Sequence, residues 1–240
     1  MEITRIRMLR GPNLWSRHTA LEAIVSCDET ERSIDSIPQF ETKIRERFPQ
    51  LGSMRRGGQN ETLSLAHALE HAALGLQAQA GCPVTFSRTV QTIDEGVYQV
   101  VVEYTEEVVG RMAFDFGFAL IQATLNDAPF DLAAALSELE ALYEDVRLGP
   151  STGSIVDAAV QRNIPYRRMT EGSMVQFGWG SKQKRIQAAE TSDTSAIAEA
   201  IAQDKELTKN LLAAAGVSVP IGEVVTSADD AWRAAQKIGG

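Results

Sequence analysis

Apolar residues follow a helical period most completely between Leu63 and Ala80, where there is no proline and Leu65, Leu69, Ala72 and Leu76 form one ridge. Asn60 or Thr62 can cap its start, and Gly81 with Cys82-Pro83 ends it. Its other sides are alanine, leucine, glycine and glutamine, so the helix is covered on more than one face. Upstream, Ile3 to Leu9 alternates as a first strand stopped by Gly11-Pro12-Asn13, and Leu21 to Val25 makes a second. Residues 27 to 38 are polar and loop-like, and Phe40 to Phe48 is an amphipathic helix ended by Pro49. Met54 to Asn60 is a basic, glycine-containing loop. Downstream, Val84 to Val90 and Val97 to Tyr104 form a hairpin through Asp94-Glu95-Gly96. Two helices follow, from Glu106-Glu107 to about Leu125 and from Leu132 to Val146.

The rhythm changes at Leu148-Gly149-Pro150-Ser151-Thr152-Gly153-Ser154, which reads as a linker. Beyond it come a helix (155 to 162), a short strand (166 to 169), the stretch Met174 to Gly180, helices over 194 to 203 and 205 to 215, a strand at 222 to 226 and a helix to Ile238. The expected architecture is an α+β domain over 1–147, a linker at 148–154 and the start of an α/β domain over 155–240. The pattern stops at Gly239-Gly240, directly after a helix where another strand is expected, so the second domain reads as cut off.

Composition changes this picture little. The chain has 240 residues, 44% of them hydrophobic and 23% charged, as in ordinary globular domains. A net charge of -9 argues against a general nucleic-acid or anionic-membrane binder. Two cysteines, Cys27 and Cys82, make neither a disulfide framework nor a C-x-x-C zinc site, and fit reduced thiols in a cytoplasmic protein. No signal peptide is evident, and no run is read as long enough to span a membrane.

The candidate chemistry sits on the central helix. His67 and His71 are one turn apart, with Glu70 on the flank beside them: H-x-x-E-H, the inverted zinc-hydrolase order. In that chemistry the histidines bind zinc and Glu70 is the general base for a bound water. A catalytic zinc needs a third protein ligand; Glu107 is the choice, with Glu103, Glu106 and Asp115 as competitors. Arg88 and Arg111 are candidates to hold a substrate carboxylate, against the alternative of ordinary surface ion pairs. Structural histidines in a packed helix are the plain alternative for the motif itself. His18 has no metal-ligand spacing, and no Ser-His-Asp set or Walker-type phosphate loop is present.

Several motifs carry a family resemblance. Leu9-Arg10-Gly11-Pro12-Asn13-Leu14-Trp15 resembles the opening of cyanophycin synthetases, as does Gly81-Cys82-Pro83-Val84 through Phe86-Ser87-Arg88-Thr89 to Gly96-Val97-Tyr98. Val102-Glu103-Tyr104, Gly110-Arg111, Leu148 to Thr152, Met174 to Gly180, Lys184 to Ala188 and Asp204-Lys205-Glu206 are similar too, in the family's order. The resemblance implies a cytoplasmic ligase with an N-terminal domain, an ATP-grasp domain and a Mur-ligase-like domain, oligomeric at full length. On this reading 1–147 is a polymer-binding domain and 155–240 an incomplete beginning of the ATP-grasp domain. Such enzymes use ATP and magnesium (Mg2+) to join aspartate and arginine into the cyanophycin polymer, activating each carboxylate as an acyl phosphate. In some members the N-terminal domain also cuts the polymer into primers with a metal, a role for which Zn2+ at the HxxEH motif would suit. The chain stops before the ATP-binding residues of that family, so ligation is not expected from these residues alone.

Overall fold

A computed structural model describes residues 1–51, 54, 62–188 and 190–239. It divides into two compact units, Met1–Ala189 and Glu190–Gly240. The basic loop read at 54 to 60 and the proposed cap Asn60 fall outside the described residues, apart from Met54.

Four strands of the first unit, β1 (Glu2–Leu9), β2 (Ala20–Ser26), β3 (Ser87–Gln91) and β4 (Val97–Glu103), form an antiparallel sheet in the order β1-β2-β4-β3. Period-two alternation decides its faces. Leu21 pairs with Val102, Ala23 with Val100 and Val25 with Tyr98, and all six are buried in the main core. On the opposite face a row runs Arg7, Glu22, Val101, Arg88 across the four strands.

Four helices pack on the apolar side: α1 (Phe40–Arg47), α2 (Leu65–Gln79), α3 (Glu107–Leu125) and α4 (Leu132–Val146). The central one, α2, meets β3 and β4 as well as α3, and it also touches α4. That is the multi-sided cover its composition requires; Leu65, Leu69, Ala72 and Leu76 are fully buried. Its cap is Ser64 rather than Asn60 or Thr62. Small residues set how closely α3 approaches. A Cβ at Gly117 would sit 3.2 Å from the Ala73 nitrogen, and one at Gly110 would sit 2.5 Å from Tyr104 Cβ. By length and composition α3 is apolar enough to cross a membrane, contrary to the sequence expectation, yet half of its apolar window is buried inside the protein.

The stretch read as a linker is helical from Pro150: α5 (Pro150–Gln161) starts with proline at its first position, where no N–H is missed. It packs with β5 (Tyr166–Arg168), β6 (Met174–Phe177) and β7 (Lys184–Gln187), three antiparallel strands, around a small core of Val156, Ala159, Val175, Phe177 and Ile186.

The second unit contains β8 (Glu190–Thr191), α6 (Ala196–Gln203), α7 (Lys205–Ala214) and α8 (Ala228–Ile238). Ser195, Asp204 and Ser227 cap the three helices with their side chains. The strand expected at 222–226 is not formed; the segment is irregular. A strand exists only with a ladder partner, and β-branched residues alone do not supply one.

Candidate functional site

The HxxEH segment forms the first two turns of α2, and the structure gives each of its polar side chains a specific partner or setting. Ser64 is the N-cap and His67 the N3 residue of a capping box. The Ser64 backbone N–H donates to His67 Nδ1 at 3.1 Å, and the Ser64 hydroxyl lies 2.9 Å from the same nitrogen. The ring also meets Tyr98 edge-on, with centroids 5.9 Å apart. Glu70 is 2% exposed and accepts a hydrogen bond from Ser87 Oγ at 2.8 Å. His71, one turn beyond His67, is partly buried.

Glu107 is not brought to this place. Gly110 lies beside Gln77, since a Cβ on it would be 3.4 Å from Gln77 Oε1, whereas Gly117 lies beside Leu69 and Ala73. α2 and α3 therefore run antiparallel, with Glu107 toward the far end of α2. At about 1.5 Å of rise per residue, it stands on the order of 13 Å along the axis from His71. Arg10 holds it instead, through Nε at 2.6 Å and Nη2 at 2.8 Å. That bidentate pair keeps the Glu107 carboxyl below its ordinary range.

The competing acids are engaged elsewhere. Glu103 is buried and accepts the backbone N–H groups of Thr85 and Phe86 at 2.8 and 2.7 Å, tying the segment before β3 to the end of β4. Glu106 pairs with Arg168 at 2.7 Å; burial nevertheless raises its pKa. Asp115 points outward and pairs with Arg111 at 3.1 Å along α3, so Arg111 is a surface ion-pair residue. Arg88 is exposed and, by alternation with Ser87, belongs to the sheet face opposite Glu70.

The donor chemistry tests whether a zinc ion fits. His67 Nδ1 is engaged by the N-cap residue, meeting both the backbone N–H and the hydroxyl of Ser64. A metal on Nδ1 would displace the cap, which leaves Nε2 as the only ring nitrogen that could meet one. Among the described residues, no three His, Cys, Asp or Glu side chains come together as a metal-binding group. Sequence reasoning missed Ser64 and Ser87, the partners that occupy the motif. Only the first was legible, because Ser64-x-x-His67 has capping-box spacing with histidine in the place of glutamate.

Residues 23–126, from within β2 to just past α3, match the family model described as the cyanophycin synthase-like N-terminal domain. Over its whole length the chain is 36% identical to the cyanophycin synthetase of Trichormus variabilis and 36% identical to that of Geminocystis herdmanii. It is 35% identical to that of a Synechocystis species. These alignments cover 100% of this chain but 28%, 29% and 29% of the respective relatives, so the chain spans less than a third of their length. The resemblance read from the sequence therefore holds: the chain is similar to the N-terminal part of cyanophycin synthetases.

Proposed function

We propose that this chain is the N-terminal part of an ATP-dependent ligase of the cyanophycin synthetase kind. In this reading its first unit holds the arginine- and aspartate-containing polymer rather than cutting it. The observation that carries the proposal is the 36% identity sustained along the entire chain to proteins named cyanophycin synthetase. ATP and magnesium belong to the ligation reaction of the full-length enzyme, and the residues from 155 onward are proposed as the beginning of its ATP-grasp portion.

Holding is favoured over cutting by the geometry of α2. Nδ1 of His67 is engaged at its helix cap, Glu70 is bonded to Ser87, and Glu107 is paired with Arg10 well along the bundle. The polymer itself asks for charged contacts: each arginine joined through its amine to an aspartate side chain keeps a free carboxylate and a guanidinium. Arg5 and Arg88 are exposed on the sheet face away from α2 and suit those carboxylates, whereas Arg7 on the same face is paired with the buried Glu22.

Sedimentation with insoluble cyanophycin, with and without a chelator, tests the reading. The expected result is that the chain pellets with the polymer, releases no soluble peptide and is indifferent to chelation. Arg5→Ala with Arg88→Ala should shift it to the supernatant. One zinc per chain, together with polymer cleavage lost in Glu70→Gln or His71→Ala, would establish a hydrolase instead.

A further inference from the structure

A cleft of about 230 Å³ opens within the first unit, between the connection from β1 to β2 and the turn from α5 into β5. Five polar side chains line it: Arg17, His18, Thr19, Asn163 and Tyr166. Thr19 is spent on the Tyr104 carbonyl, to which its hydroxyl donates. Val160, Ile164 and Pro165 supply an apolar wall.

Arg17, His18 and Tyr166 have no charge-neutralising hydrogen bond among the described residues. Arg17 is exposed, and Nη1 donates to the uncharged Oδ1 of Asn163 at 3.0 Å, which orients the guanidinium without neutralising it. The other cations nearby differ: Arg10 is neutralised by Glu107, and Arg168 by Glu106. The acid facing His18 is Glu103, with Oε1 3.9 Å from Nδ1, beyond hydrogen-bond reach. Two backbone N–H groups hold the other oxygen, Oε2, and fix the carboxylate in place. Burial, followed by the negative charge of Glu106, Glu103 and Asp157, pushes the Tyr166 pKa up to about 12, so the phenol remains a donor at neutral pH.

A guanidinium, an imidazole and a phenol around one space make a donor-rich lining for an anion, and the aliphatic wall asks that the anion carry some hydrocarbon. Size narrows the choice. At roughly 30 Å³ per water the cleft holds on the order of eight waters, the room an amino acid needs. Drug-sized ligands and nucleotides take pockets of about 300–1,000 Å³.

We propose that this cleft binds a carboxylate of amino-acid size, its anionic end held by Arg17 and Tyr166 and its hydrocarbon against Val160, Ile164 and Pro165. Neither the histidines of α2 nor the ligase reading enters this assignment. The carboxylate can come from a free amino acid or from an arginine-capped aspartate unit of a polymer.

NMR of the 240-residue chain tests it, reading the His18 ring resonances, which His18→Gln assigns. Titrants are aspartate, succinate, β-aspartyl-arginine and inorganic phosphate. Saturable shifts are expected with at least one carboxylate, weakened about tenfold in Arg17→Gln and several-fold in Tyr166→Phe. Response to β-aspartyl-arginine alone assigns the site to polymer ends, and response to aspartate assigns it to the free amino acid. Absence of saturable shifts with every carboxylate overturns the proposal. So does affinity unchanged in Arg17→Gln, or phosphate binding as tightly as the best carboxylate.

Discussion

The two units of this chain are built on different terms. In the first, α2 buries Leu65, Leu69, Ala72 and Leu76 completely, and the sheet beneath it buries alternate residues of β2 and β4. In the second, α6, α7 and α8 are properly capped and amphipathic, yet none of their residues is buried. Ile197 is 74% exposed, Ile221 84% and Trp232 68%. Capping and periodicity thus suffice to write a helix, but a helix contributes to tertiary stability only through the area it removes from water.

Paired truncations give the largest test of that contrast. Leu69→Ala should cost about 2–5 kcal/mol, whereas Leu211→Ala in α7 should stay below about 1 kcal/mol, both from urea unfolding midpoints. Equal losses would break the comparison and show that the second unit has a core of its own. Cap removal sharpens it. Ser64→Ala should lower global stability by about 0.5–2 kcal/mol, because it frees the start of the most buried helix and the ring of His67. Ser195→Ala, which removes the bond to the Ala198 nitrogen, should leave the global midpoint in place and speed only local amide exchange in α6.

The smallest effect concerns Glu107. Its folded pKa lies below the ordinary carboxylate value because Arg10 bonds the ionised form. The stabilisation is therefore present above the unfolded value and lost as pH falls through the folded one. Arg10→Ala should lower stability only slightly at neutral pH, because an exposed pair contributes little. The gap between variant and wild type should close as the medium is acidified, as urea midpoints taken across that range would record.

How far sequence could be trusted follows from the kind of information each feature needs. The ridge of α2, the β3–β4 hairpin and the start of α3 are local patterns, and they appear where periodicity and turn residues put them. The extended run at 222–226 was misread because strand formation is a property of pairs, and its β-branched residues carry no sign of a partner. The choice of Glu107 as a partner for the motif met the same limit. His67, Glu70 and His71 do share the beginning of a helix, as their spacing dictates. Which acid would face them depended on the direction in which α3 crosses α2, and Gly110 and Gly117 fix that direction only in three dimensions. The linker reading at 148–154 took Gly-Pro as a break, where proline instead opens α5.

The strand order β1-β2-β4-β3 has a temporal consequence. β2 lies beside β1 in a tight early pair, but its other edge joins Ser26 to Val97 and Ala20 to Glu103. On a ribosome adding roughly 5–20 residues each second, that edge waits several seconds for its neighbour. Throughout that wait the open backbone of β2 is a template for any other extended chain. The step that ends the wait is closure of a long loop, so sheet completion rather than helix formation should set the refolding rate. Nascent chains of this protein are consequently most vulnerable to association after β2 has emerged and before β4 has.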